Sequence, residues 1–139
     1  MRLRGNAMTS RRVAYVAGTF ICMISELAVP QDSRGWIDIK DAGELRALYS
    51  NKTFRSSVGG VAVVEHYRAD GKGLIVAGEL RRPRTWEIKG ADQVCVTDAD
   101  GTFCYRFQRN EKYPNEYVSR RTPGNYMVVI KVEVGVPQF

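Results

Sequence analysis

Val94-Cys95-Val96-Thr97-Asp98-Ala99-Asp100-Gly101-Thr102-Phe103-Cys104-Tyr105 decides the fold, because two cysteines stand symmetrically about an Asp-Ala-Asp-Gly turn. If the flanking strands pair Cys95 with Cys104, then Val96 faces Phe103 and Val94 faces Tyr105, and the apolar residues gather on the face away from the sulfurs. A slip of one residue sets Cys95 against Tyr105 and Val94 against Arg106, which divides the apolar set between faces. The spacing therefore predicts a hairpin stapled by a Cys95–Cys104 disulfide, a bond that calls for an oxidising compartment.

Period-two patterning extends on both sides of this hairpin. Val61, Val63 and Tyr67 alternate with Ala62, Val64 and His66, and a run from Leu74 to Leu80 follows Asp70-Gly71, which reads as a two-residue hairpin turn with positive φ at both positions. Trp86 and Ile88 alternate with Thr85 and Glu87, predicting a buried Trp86, while Phe103, Tyr105 and Phe107 face the core. After the turn Thr122-Pro123-Gly124-Asn125, Tyr126, Val128, Ile130, Val132 and Val134 alternate with more polar neighbours. One helix precedes the strands. Asp41 with Glu44 forms a capping box, and Leu45, Leu48 and Tyr49 share a face. The expected fold is mainly β: an antiparallel meander of about seven strands closing into a small barrel or curled half-barrel, with one short N-terminal helix.

Residues 1–28 read as a secretory signal, with Arg11 and Arg12 before an apolar run over residues 13–25 and cleavage after Ala28, leaving residues 29–139 as a single β domain. Cys22 lies in that run without the neighbours of a lipoprotein site. Arg2, Arg4, Arg11, Arg12 and Glu26 leave with the signal, so the formal charge falls from +6 to +3, which argues against nucleic-acid binding. The expected location is the periplasm or the exterior, with no stable membrane span after cleavage.

Motifs for catalysis are sparse. His66 is the sole histidine, and Asp98-x-Asp100-Gly101 lacks the later ligands of a calcium loop. No phosphate-binding or nucleophile-elbow motif occurs. The expectation is no catalytic residue, no metal and no cofactor. Basic and aromatic residues remain. Arg81, Arg82 and Arg84 at one strand connection and Arg120 and Arg121 near the last turn, with Tyr113 and Tyr117, are the candidate contacts of an anion- or partner-binding surface. The expected function is a non-enzymatic binding or interaction module for an anionic envelope component or protein partner. Alternatives are a lipocalin-like small-ligand carrier or an inhibitor of a cell-wall hydrolase. The carrier needs a cavity, which Trp86, Phe103, Tyr105 and Phe107 look sufficient to fill, and the inhibitor is disfavoured by the positive charge.

Asp41-Ala42-Gly43-Glu44-Leu45-Arg46-Ala47-Leu48 with Lys52-Thr53-Phe54, followed by Tyr67-Arg68-Ala69-Asp70-Gly71, Thr85-Trp86, Val94-Cys95 and Cys104-Tyr105, resembles a group of small exported proteins of rhizobia and related alphaproteobacteria with domains of unknown function. Asn51 stands where that pattern has glycine, and residues 78–86 carry an arginine-rich insertion. The resemblance covers about residues 38–107. It implies export and a bacterial origin, and no activity.

Overall fold

The computed structural model describes residues 35–138. The expected signal, residues 1–28, and Cys22 lie outside them. The order is β1 (Trp36–Asp38), α1 (Ala42–Tyr49), β2 (Lys52–Val58), β3 (Val61–Tyr67), β4 (Lys72–Ala77), β5 (Leu80–Lys89), β6 (Gln93–Asp98), β7 (Gly101–Asn110), β8 (Glu116–Thr122) and β9 (Met127–Val134). From β2 to β9 each strand pairs antiparallel with the next, and β9 returns to β2 through Lys52↔Val134 and Phe54↔Val132. The meander thus closes into an eight-stranded barrel and leaves no open edge among these strands. β1 pairs with the far end of β7, beyond the reach of β6, through Trp36↔Asn110, Ile37↔Arg109 and Asp38↔Gln108.

The cysteine hairpin has the register expected from its sequence: Cys95↔Cys104, Val96↔Phe103 and Val94↔Tyr105, with the disulfide spanning a Cα separation of 4.0 Å. The turn after β3 differs from expectation. Only Gly71, and not Asp70, has positive φ, and the chain reverses through bonds from Gly71 N to Arg68 O and from Arg68 N to Lys72 O, a longer loop than two residues. Asp70 instead uses its carboxylate to accept from the backbone N–H of Lys72.

Helix α1 begins where Asp41 Oδ1 accepts from the backbone N–H of Glu44 at 2.8 Å, half of the expected capping box. The other half does not form, because Glu44 turns to the Arg109 guanidinium at 3.1 Å. Asn51, in the left-handed region at φ 57°, stops the helix and launches β2. Leu45, Leu48 and Tyr49 are buried, and the Tyr49 ring lies 4.6 Å from Tyr67, 4.9 Å from Phe54, 5.2 Å from Trp86 and 5.7 Å from Phe107. These rings pack largely edge-on or tilted, the arrangement their quadrupoles favour. Trp86 is 7% exposed and donates its indole N–H to Arg68 O at 2.9 Å. Gly73, across from Tyr67, makes room for this cluster: a Cβ there would lie 2.6 Å from Tyr67 Cδ1.

Antiparallel pairing assigns the turns to two ends. The β3–β4, β5–β6 and β7–β8 connections lie at the end where α1 enters β2, and the β2–β3, β4–β5, β6–β7 and β8–β9 connections lie at the other. The aromatic core stops up the helix end.

Candidate functional site

A cavity of about 260 Å³ occupies the barrel on the other side of this aromatic floor. Tyr49, Phe54 and Phe107 form its base, Val63, Ile75, Val128 and Ile130 supply apolar walls, and Ser56, Glu65, Tyr67, Tyr105, Ser119 and Arg121 supply polar groups. Strand alternation places them there. Glu65 follows Val63 and precedes Tyr67 at two-residue steps on β3, and Arg121 stands directly across from Tyr105 on β7. Exposed apolar residues collect at the rim: Val58 and Val61 flank one turn, Leu80 opens β5, and Tyr126 and Met127 lead into β9.

The walls carry an internal charge network. Arg84, whose side chain is 13% exposed, donates from Nη1 to Glu65 Oε1 at 2.6 Å and from Nε to Asp98 Oδ2 at 3.1 Å, and its Nη1 lies 3.4 Å from the Tyr67 hydroxyl. Asp98, at 3%, also lies 3.9 Å from Arg82, which pairs with Asp100 at the rim. Charged groups this enclosed require partners, and each has them. Burial pushes the Glu65 carboxyl up, while Arg84 and the hydrogen bonds from Arg84 and Tyr67 pull it back. Burial works against the Arg84 cation, but Tyr67, Glu65 and Asp98 more than offset it and hold its pKa above the ordinary value. Burial also raises Tyr67 and Tyr105, so both phenols are neutral hydroxyls at pH 7.

Arg121 differs from these two arginines. Its guanidinium stacks 4.2 Å from the centroid of Phe103, and no carboxylate of the described residues lies within ion-pair distance of it.

The expected arginine groups lie at the same end of the barrel, at the tops of β5 and β8, but they do not make one outer surface. Arg82, Arg84 and Arg121 point inward, whereas Arg81 and Arg120 are exposed on the outer wall. Arg120 approaches Met127 Sδ at 3.4 Å and is the cross-strand neighbour of Arg106. Tyr113 and Tyr117 belong to the opposite end: Tyr113 is an exposed residue of the β7–β8 connection under Lys112, and Tyr117 packs across from Ile130. The arrangement does not join them to the arginines.

His66 lies on the outer wall, buried, with Nδ1 3.2 Å from the Thr53 hydroxyl, which itself donates to Gly135 O. Asp98 and Asp100 serve the turn and the arginine network: Asp98 Oδ1 accepts from Asp100 N at 2.8 Å. Glu87 and Asp92 pair elsewhere, with Lys89 and Arg106. Among the described residues no group of three or more His, Cys, Asp and Glu is arranged to hold a metal ion. The sequence reading missed the cavity and the inward charges of Glu65 and Asp98. Their signal was present in the two-residue steps from Tyr67 and from Val96.

No family model matches this chain, and neither a curated protein nor a solved structure matches it.

Proposed function

We propose that this protein is a non-enzymatic binding module, a lipocalin-like carrier whose site is the barrel lumen. One observation carries the reading: a cavity of about 260 Å³ bounded by an aromatic floor, apolar walls and a few polar groups facing inward. Binding sites for small molecules have this composition, and the volume falls just below the roughly 300–1,000 Å³ of drug-sized pockets. The exposed apolar rim gives a ligand a favourable path from water to the interior. The sole histidine stands on the outer wall, away from the lumen, which supports binding rather than chemistry there. The Cys95–Cys104 disulfide supports export to the periplasm or the exterior, since such bonds persist in oxidising compartments.

A fluorescence titration with N-phenyl-1-naphthylamine, an uncharged apolar probe, tests the reading. Saturable enhancement is expected with the wild-type protein, and its loss in Val128→Trp, which places a large ring in the lumen from a half-buried wall position, provided that the variant keeps its cooperative unfolding transition. Equal enhancement in both proteins, or none in either, overturns the assignment of the lumen.

A further inference from the structure

We propose that the lumen takes a small single-tailed amphiphile with one anionic head group, the head seated on Arg121 and Tyr105 and the tail lying against the apolar walls. This rests on the lumen being the binding site. Among the described residues three arginines face inward at the mouth end, and two of them are spent: Arg84 holds Glu65 and Asp98, and Arg82 holds Asp98 and Asp100. Glu65, the acid of the facing wall, is likewise occupied by Arg84 and Tyr67. Arg121 is the inward cation whose charge no described carboxylate balances. The Phe103 ring holds the guanidinium at 4.2 Å, and a planar guanidinium presents paired N–H donors along an edge, the geometry that suits a carboxylate.

Tyr105 stands directly across from Arg121 and lines the same cavity, and Ser119 is one inward step below. The Tyr105 phenol stays protonated, so it donates a hydrogen bond and adds no negative charge. Cation and donors therefore sit on one wall near the mouth, at the level where Arg121 N also bonds Tyr126 O. The remaining lining is mainly apolar, with Phe54, Val63, Ile75, Val128 and Ile130 around Glu65 and Tyr67, whose polar atoms are taken up by Arg84. A bare inorganic anion would satisfy Arg121 and leave those walls against water, and a hydrocarbon would cover the walls and leave a desolvated cation unpaired. A molecule with both parts meets both demands, with the charged end outermost.

The test uses octanoate, octan-1-ol and octylammonium as displacers of N-phenyl-1-naphthylamine, on the wild-type protein, Arg121→Gln and Arg121→Lys, each checked for an unchanged thermal midpoint. Octanoate should displace the probe at about tenfold lower concentration than octan-1-ol, the discrimination that one charge-assisted hydrogen-bonding contact provides. Octylammonium should be the weakest of the three. Arg121→Gln should remove the preference for octanoate and leave octan-1-ol unchanged, Arg121→Lys should retain part of it, and added salt should weaken octanoate alone. Equal displacement by octanoate and octan-1-ol in the wild type, or an equal loss of both in Arg121→Gln, overturns the head-group assignment while the lumen stands. Absence of any probe binding overturns the lumen reading itself, and this inference with it.

Discussion

The two ends of the barrel are made by the same strands, yet one is solid and the other hollow. On three strands a single inward step toward the mouth exchanges an aromatic residue for a polar one, Phe54 for Ser56, Tyr67 for Glu65 and Trp86 for Arg84, and on β7 the apolar ring of Phe107 gives way to the phenol of Tyr105. At the helix end, α1 inserts Tyr49 among the rings and excludes water. At the other end no helix of the described residues covers the strands, and Glu65, Arg84 and Asp98 satisfy one another along the wall and leave space between the walls. The contrast teaches that closure of a small barrel leaves the composition of its interior open. The helix end supplies stability through packing, and the mouth can then hold polar groups that a fully packed core would exclude.

Truncation at the solid end should have the largest effect. Trp86→Ala removes a ring packed on Tyr49 and should lower unfolding stability by about 3 to 5 kcal/mol in a denaturant titration. Tyr126→Ala, at an exposed rim position, should change it by no more than about 0.5 kcal/mol. Similar losses from the two would erase the distinction between the ends.

Arg84→Met sharpens the comparison from the charged side. It strands Glu65 and leaves Asp98 with Arg82 alone, and breaking one partner out of a buried pair costs about 3 kcal/mol or more near pH 7. Burial already raises the folded-state pKa of Glu65, and loss of the cation raises it further. A raised carboxyl stabilises the folded state below its unfolded pKa and loses that contribution as pH rises through the folded value. The stability gap between Arg84→Met and wild type should therefore narrow as pH falls from 7 toward 5. A gap independent of pH would place these groups in water rather than in the wall.

The disulfide should contribute less. It closes a short loop, with a sequence separation of 9, so its removal should cost at or below the roughly 3 kcal/mol expected for a fifteen-residue loop. Because it ties β6 to the segment of β7 that carries Tyr105, the Cys95→Ser/Cys104→Ser protein should also bind lumen ligands more weakly. Non-reducing mass spectrometry of the folded protein, purified without reductant, checks the bond, and two free thiols would contradict it.

Much of this architecture was legible in local patterns. The cysteine register and the apolar register of the hairpin coincide, so a two-residue period was enough to pair β6 with β7. Asp41 announced the helix through its cap, and Trp86 announced its burial through alternation. The charged lumen was also written in that alternation but was obscured by chain proximity. Arg81 and Arg82, like Arg120 and Arg121, are adjacent in sequence and so point to opposite sides of the wall. Reading them as clusters at turns joined residues that the pleat separates. Carrying the inward assignment of Trp86 two and four residues back would have turned Arg84 and Arg82 into the barrel. The closing pair Lys52↔Val134 could not be read locally, since nothing in either segment marks its partner. The space above the aromatic floor depends on that closure and on Tyr49 entering from the helix, so its volume had no local signature.

The most direct test of a hollow end that binds is a two-dimensional amide NMR titration of the folded protein with N-phenyl-1-naphthylamine and then octanoate. The account predicts saturable shifts clustered at Ser56, Glu65, Tyr105, Ser119, Arg121 and Val128, with the Trp86 indole and the α1 amides outside Tyr49 nearly unmoved. Shifts confined to the outer wall around Arg81 and Arg120, or none in the lumen at saturating probe, would contradict it.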